Sequence, residues 1–197
     1  MRLILASQSA ARCAMLAAAE VPHEAMASGV DEEAAKASLS AEGLSPRDLA
    51  DALAELKAVK LSARFPDAMV LGCDQVAAID EEALGKPGDR EAASAQLGKL
   101  RGATHAQHSA AVIAEGGRPV WRHVDTAKLT MRDFSDGFLE EYLDAEWPTI
   151  GGCAGGYRLE GRGVQLFARI EGSHFTILGL PLLPLLDYLR ERGVIVA

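Results

Sequence analysis

Apolar positions along the chain fall into short runs broken by hydroxyl, acidic and glycine clusters, and the runs alternate between strand-like and helix-like spacing. Residues 2–6, apolar from Leu3 to Ala6, read as a short buried strand, with Ser7-Gln8-Ser9 as the turn after it. Residues 10–20, rich in Ala, Met and Leu, predict a helix with Ser9 as N-cap. A second short strand over 23–27 precedes the acidic stretch Val30-Asp31-Glu32-Glu33, which leads into 34–38. Ser45-Pro46 opens a long helix to about Arg64, because proline is tolerated in a first helical turn. Residues 68–79 predict a buried strand; its most apolar part, 69–71, puts Asp74 at or near the strand's end. Leu84-Gly85-Lys86-Pro87 reads as a loop, 89–100 as a helix, and 104–115 and 119–131 as strands joined by Gly116-Gly117 in hairpin fashion. An amphipathic helix over 135–145 is capped by Ser135, and a closing helix over 182–192 is ended by Gly193. The six glycines within 151–163 predict a loop that approaches something closely. This alternation of strand, helix and hairpin is that of an α/β protein with a mixed sheet. Without an internal repeat or a long linker, 1–197 is expected to form a single domain.

Composition narrows the classes. The chain has 197 residues, 49% hydrophobic and 24% charged, which excludes a disordered tail, a collagen-like rod and a disulfide-stapled miniprotein. Twenty-eight acidic against 20 basic residues give a net charge of −8, a poor match to a nucleic-acid partner, which needs a basic footprint. A small anionic ligand requires cations gathered locally against that overall sign. Cys13, Cys73 and Cys153 are far apart and form no CxxC pair, so neither a zinc site nor a disulfide framework is expected, and a cytoplasmic location is. No run approaches 18 apolar residues, so no membrane span is expected; Gly179, Pro181 and Pro184 make 177–186 a buried loop and helix start.

Five places along the chain carry candidate chemistry. A strand that stops at Ser7-Gln8-Ser9 and opens a helix presents backbone N–H groups at a positive dipole end, with the Ser7 and Ser9 hydroxyls and Arg12 as further donors. Taken alone, the turn reads first as a plain capped helix with Arg12 on its surface. Asp74, in an apolar strand, is costly unless paired or metal-bound, or else it caps a turn through its own backbone. Lys86, between Gly85 and Pro87, is a cation on a tight loop or a solvated turn lysine. Lys57 falls inside a helix, where lysines normally face solvent. Glu32 either pairs with Lys36 one turn on, or joins Asp74 in offering oxygen ligands to a divalent cation such as magnesium. The five histidines have no ligand spacing and read as structural.

The ordered series is more specific than any of its members. It runs LILASQSAAR at 3–12, VDE at 30–32, Lys57, GCDQV at 72–76, LGKP at 84–87, AGGYRLEGRG at 154–163, IEG at 170–172 and GLPL at 179–182. In this order the motifs resemble the Maf family of nucleoside triphosphate pyrophosphatases over essentially the whole length. The resemblance implies a two-lobed, inosine triphosphatase-like α/β fold, a mixed sheet with flanking helices, and a site in the cleft between lobes. It implies hydrolysis between the α- and β-phosphates of a nucleotide, with a divalent metal, Mg or Mn, and a possible homodimer. The family's proton acceptor falls on Asp74, its metal environment on Glu32 and Asp74, and its phosphate-binding residues on Ser7, Arg12, Lys57 and Lys86.

Three specificity positions fall on Ala11, Gln75 and Glu160. The family's turn commonly reads SPRR, whereas Ser9-Ala10-Ala11-Arg12 keeps only the second arginine, and Cys13 stands where a basic residue is common. The branch that resembles pyrimidine triphosphatases has threonine after the aspartate and glutamine in the glycine-rich loop. Gln75 and Glu160 instead resemble the branch acting on 7-methyl-GTP. The alternatives carried with this expectation are a house-cleaning pyrophosphatase for pyrimidine or other non-canonical triphosphates, and a division or septation regulator that acts by binding.

Overall fold

The computed structural model describes residues 2–196, in which the chain forms two compact units. The first comprises Met1–Gln75, His108–Asp125 and Ser173–Ala197, and the second Val76–Gln107 and Thr126–Gly172. Strands β3 (Met69–Ile79), β5 (Thr104–Glu115) and β6 (Arg118–Met131) each run from one unit into the other. The sheet order is β2-β1-β3-β5-β6-β7, with β1 at Leu3–Leu5, β2 at Glu24–Ala25 and β7 at Phe167–Glu171; β4 (Glu82–Leu84) pairs with β3 off that path. Parallel pairing of β1 with β2 and β3, and antiparallel pairing of β4 with β3 and β7 with β6, make it the mixed α/β sheet expected.

In the first unit, strand alternation divides the core. Leu3, Leu5, Met69, Leu71 and Cys73 pack with Leu16 of α1 (Ala10–Ala18) and with α7 (Leu182–Glu191), while Ile4, Ala6 and Val70 pack on Leu61 of α3 (Pro46–Ser62). Even-numbered positions of β3 therefore face α3. Helix α3 begins as the sequence predicts: the Ser45 hydroxyl accepts from the Asp48 N–H at 3.2 Å and Pro46 takes the first turn. Its buried stripe is Ala50, Leu53, Ala54, Lys57, Ala58 and Leu61, so the one lysine in it points inward. Helix α2 (Glu32–Ala41) is capped by Asp31 and buries none of its residues.

Gly72 sets how closely α3 and β3 approach. A Cβ there would lie 2.1 Å from the Ala54 carbonyl oxygen and 2.7 Å from the Ala58 nitrogen, so only glycine permits this main-chain contact.

Asp74 is not at a strand end. It sits in the middle of an 11-residue strand, because β3 continues past the point where its partner β1 stops: Leu5 pairs with Leu71, and the Ala6 N–H donates to the Leu71 carbonyl. Beyond Asp74 the strand gains β4 as a neighbour, with Ala77 opposite Leu84. The loop expected at 84–87 thus starts one residue later, after a hairpin whose turn, Asp80-Glu81, has φ of 48° and 63°.

In the second unit, α4 (Arg90–Leu100) and α5 (Asp136–Glu146) begin at Asp89 and Ser135, whose side chains accept from Ala92 and Phe138 N–H groups. The glycine-rich segment meets two 3-10 turns, Thr149–Gly152 and Arg162–Leu166, and its closest approaches are within itself: a Cβ on Gly163 would lie 2.2 Å from the Arg158 carbonyl oxygen and one on Gly155 2.6 Å from the Tyr157 ring, while one on Gly151 would meet the Trp147 ring at 3.0 Å. Tyr157 is buried with His105 and Gln107; its hydroxyl is 2.6 Å from His105 Nε2 and accepts from Gln107 Nε2 at 2.8 Å. Burial pushes the His105 imidazole from 6.5 down to about 4, so the folded protein holds it neutral. The unfolded chain takes up that proton near pH 6.5 and the folded one only near 4. Stability from this residue is therefore complete above about pH 6.5 and lost as pH falls toward 4, by up to about 3 kcal/mol. Urea unfolding from pH 7 to 4.5 should show a steeper loss for the wild type than for His105→Asn. Equal slopes would assign the acid sensitivity to other groups.

Candidate functional site

Residue parity along β3 places consecutive side chains on opposite faces. Asp74 shares the α3 face with Val70 and Gly72, and there it meets Lys57: Nζ donates to Asp74 Oδ1 at 2.6 Å. The same ammonium lies 2.9 Å from Glu32 Oε1, at the first turn of α2, and 3.5 Å from the Cys73 carbonyl, to which it donates. Lys57 is 3% exposed and Asp74 7%. Two buried opposite charges at this separation require each other, since either alone would stand desolvated without compensation. The turn-capping alternative for Asp74 is thereby excluded, and Lys57 is not solvent-facing. Asp74 Oδ2 has no protein partner among the described residues.

Arg12 reaches the same stretch of β3 from α1. Its Nε donates to the Gly179 carbonyl at 2.8 Å, and its Nη1 donates to the Cys73 carbonyl at 3.1 Å and to Ser7 Oγ at 3.3 Å. Ser7 Oγ also accepts from the Ser9 N–H, and Ser9 caps α1 by accepting from the Arg12 N–H, so the hydroxyl turn does cap its helix as read from the sequence. Arg12 is buried rather than on the surface. The Cys73 carbonyl thus takes both cations, Arg12 and Lys57, one residue before the carboxylate. Nη2 of Arg12 has no acceptor among the described residues. The Cys73 thiol itself is inert: burial pushes it up to about 11, well into the protonated range at neutral pH.

Gln75 occupies the opposite face of β3 from Asp74. Its Nε2 donates to the carbonyls of Thr176 (3.1 Å) and Ile177 (2.8 Å), in the short helix α6 (His174–Ile177). Both amide hydrogens are therefore spent on main chain, which leaves only Oε1 for a ligand. Ala11 is half-buried on α1, next to Arg12.

Lys86 and Glu160 belong to the second unit, and both are exposed. They come within electrostatic reach of one thiol. Burial raises Cys153 and the Glu160 charge raises it further, while Arg158 and Lys86 oppose. Arg158 is itself paired to buried Glu146 at 3.0 Å. The Gln96 amide donates to the Gly85 carbonyl, which fixes the base of the Lys86 loop on α4.

Ser7, Arg12, Glu32, Lys57, Asp74 and Gln75 are thus linked within the first unit, while Lys86 and Glu160, in the second, share only the vicinity of Cys153. The sequence reading missed the acceptors: the Cys73 and Gly179 carbonyls and the α6 turn carry no side-chain signature. Only Gly179, in the GLPL motif, marked the place. For a divalent cation, no three His, Cys, Asp or Glu side chains gather among the described residues. The carboxylates bracketing Lys57 are hard oxygen donors around a spot already shaped for positive charge, and Asp74 Oδ2 is uncommitted. That donor set fits magnesium or manganese bound in the open manner, with substrate phosphates and water completing the shell.

Known proteins resemble this chain over nearly its full length. A family model described as Maf-like protein matches residues 2–192. Proteins named nucleoside triphosphate pyrophosphatase from Rhodospirillum rubrum (52% identical, covering 99% of this chain and 96% of the relative) and Ruegeria pomeroyi (52%, 98% and 97%) align with it. One of the same name from Caulobacter vibrioides is 51% identical over 97% of this chain and 96% of its own length. With a family model matching residues 2–192 and relatives 52% identical over nearly the whole chain, the chain belongs to the Maf family.

Proposed function

We propose that the chain is a nucleoside triphosphate pyrophosphatase, cleaving between the α- and β-phosphates to give a monophosphate and pyrophosphate. The observation that supports this most directly is the buried Asp74 carboxylate, with one oxygen held by Lys57 and the other uncommitted, beside a second buried cation, Arg12. A water oxygen forms a bond to phosphorus and gives its proton to Asp74 Oδ2. The bond from phosphorus to the bridging oxygen breaks, and its electron pair leaves with pyrophosphate. Arg12, through Nη2, neutralises phosphate oxygens as charge shifts toward the leaving group; Lys57, whose hydrogens go to Asp74, Glu32 and the Cys73 carbonyl, adds positive charge from behind the carboxylate; Ser7 donates a hydroxyl hydrogen bond, and Lys86 supplies a further cation. A general base contributes about 10²–10⁴-fold, so most of the acceleration has to come from these positive groups. A magnesium or manganese ion, when bound through Glu32 and Asp74, would supply additional neutralisation of the phosphates.

For the base, the proposal is a modified purine such as 7-methyl-GTP. The Glu160 carboxylate accepts from the N1–H and exocyclic amine edge of guanine, favours the positive ring of 7-methylguanine, and repels the carbonyl edge of a pyrimidine. Gln75 offers only its Oε1, and Ala11 only a methyl group. A panel of canonical and modified triphosphates with magnesium or manganese, assayed for pyrophosphate, tests both levels. The expected result is pyrophosphate release, with 7-methyl-GTP preferred over UTP and dTTP by at least about tenfold in kcat/KM. The double variant Gln75→Thr, Glu160→Gln should move that ratio toward the pyrimidines. A fixed ratio would remove both residues from base reading, and no release from any triphosphate would leave a binding protein instead.

A further inference from the structure

The GLPL motif and the helix before it have no part in the chemistry above, yet four elements of the first unit are tied to them. The Thr176 carbonyl accepts from Ser109 Oγ of β5 at 2.6 Å and from Gln75 Nε2 of β3 at 3.1 Å. The Ile177 carbonyl accepts from the same amide, and the Thr176 hydroxyl donates to Asp125 Oδ2 of β6 at 2.6 Å. Three residues on, the Gly179 carbonyl accepts from Arg12 Nε of α1. Thr176 and Ser109 are fully buried. A four-residue helix cannot hold its own shape in isolation, so these bonds decide where the turn sits.

Gly179 shows how tight the fit is. Its φ is +97°, and a Cβ there would lie 3.3 Å from both Nε and Nη2 of Arg12 and 3.5 Å from Gln75 Oε1. The glycine whose carbonyl orients Arg12 thus leaves no room for a side chain between that arginine and the glutamine that anchors the turn. An arginine held through Nε and Nη1 has its plane fixed, and the direction of Nη2 with it.

We propose that the 176–179 turn is the positioning element for Arg12, and that Gln75 and Ser109 are positioning residues that fix the guanidinium for a diphosphate by holding this turn. The inference rests on the phosphate-binding role given to Arg12 above, and it deepens the role of Gln75, which acts on phosphate binding without contacting it. Ser109, behind the turn and fully buried, has no access to a base, so its effect separates the two roles.

Inorganic pyrophosphate is the probe, because it has no base to be read and its binding needs no turnover. Isothermal titration in magnesium buffer compares the full-length wild type with Gln75→Leu, Ser109→Ala, Arg12→Ala and the double variant Gln75→Leu, Arg12→Ala, each checked for folding by thermal melting. Arg12→Ala should weaken pyrophosphate by at least about tenfold, as loss of a charge-assisted contact does. Gln75→Leu and Ser109→Ala should each weaken it about fivefold, the effect of one mis-set hydrogen bond. The double variant should lie within about twofold of Arg12→Ala, because residues acting through one another are not additive. Ser109→Thr, which keeps the hydroxyl, should recover binding relative to Ser109→Ala. Wild-type affinity in both Gln75→Leu and Ser109→Ala, additive losses in the double variant, or no pyrophosphate binding by the wild type would each overturn the proposal. A wild type that binds pyrophosphate in this pattern but hydrolyses no triphosphate would sink the enzymatic reading and keep the positioning one.

Discussion

Asp74→Asn should lower kcat for pyrophosphate release by about 10²–10⁴-fold while the protein still folds. The amide is the same size as the carboxylate and its oxygen can still accept from Lys57, which today donates to Asp74 Oδ1 at 2.6 Å. Lys57 also keeps the Glu32 carboxylate at 2.9 Å, so removing one negative charge does not leave the buried ammonium without a counterion. What the variant loses is an uncommitted carboxylate oxygen able to take a proton. Circular dichroism and thermal melting should therefore show a folded protein, within about 2 kcal/mol of the wild type, alongside the kinetic collapse. Turnover close to the wild type would show that another group accepts the proton.

Lys57→Met should be worse for both properties. Methionine fills the lysine's volume on the buried stripe of α3 but leaves Asp74, 7% exposed, with no cation in contact. Breaking a buried pair by removing one partner costs about 3–5 kcal/mol. For a chain of this length, that corresponds to a fall in Tm on the order of 10 °C. Glu32 is half-exposed and regains water, so the penalty falls on the aspartate. Under the proposed mechanism, activity should fall at least about 100-fold, since the variant loses the positive charge beside Asp74 and the partner that orients it. The double variant Lys57→Met, Asp74→Asn should recover much of the lost stability and none of the activity. If it melts no higher than Lys57→Met alone, the destabilisation comes from packing rather than from a stranded charge.

Much of the fold was legible because local chemistry and tertiary packing agree. Ser9, Ser45-Pro46 and Ser135 announce helices that the structure starts at those places, and Gly116-Gly117 joins β5 to β6 as a hairpin, with φ of 53° and 80°. The misses have physical reasons. Strand β7 at 167–171 is buried only at Phe167, so it carries no alternating pattern to read. The β3–β4 turn uses Asp80 and Glu81 at positive φ, a task usually marked by glycine or asparagine. The site itself was legible as an ordered set of motifs more than as geometry. Lys57 had a signal that its charge masked: it is in step with Leu53, Ala54, Ala58 and Leu61 on the buried face. The Gln75 contacts had none, because a side-chain amide bonding main-chain carbonyls 101 and 102 positions away leaves no trace in residue type.

At Gly72 the strand carrying Asp74 and the helix carrying Lys57 come together at main-chain distance, with the Ala54 carbonyl and the Ala58 nitrogen nearest. Where side chains set a gap, each core substitution retunes it; a backbone contact cannot be thickened or thinned that way. The 2.6 Å spacing between acid and lysine is thereby insulated from drift elsewhere in the hydrophobic interior. Repacking Leu185 or Ile113, neither of them a proposed site residue, should therefore leave the Asp74–Lys57 spacing unchanged.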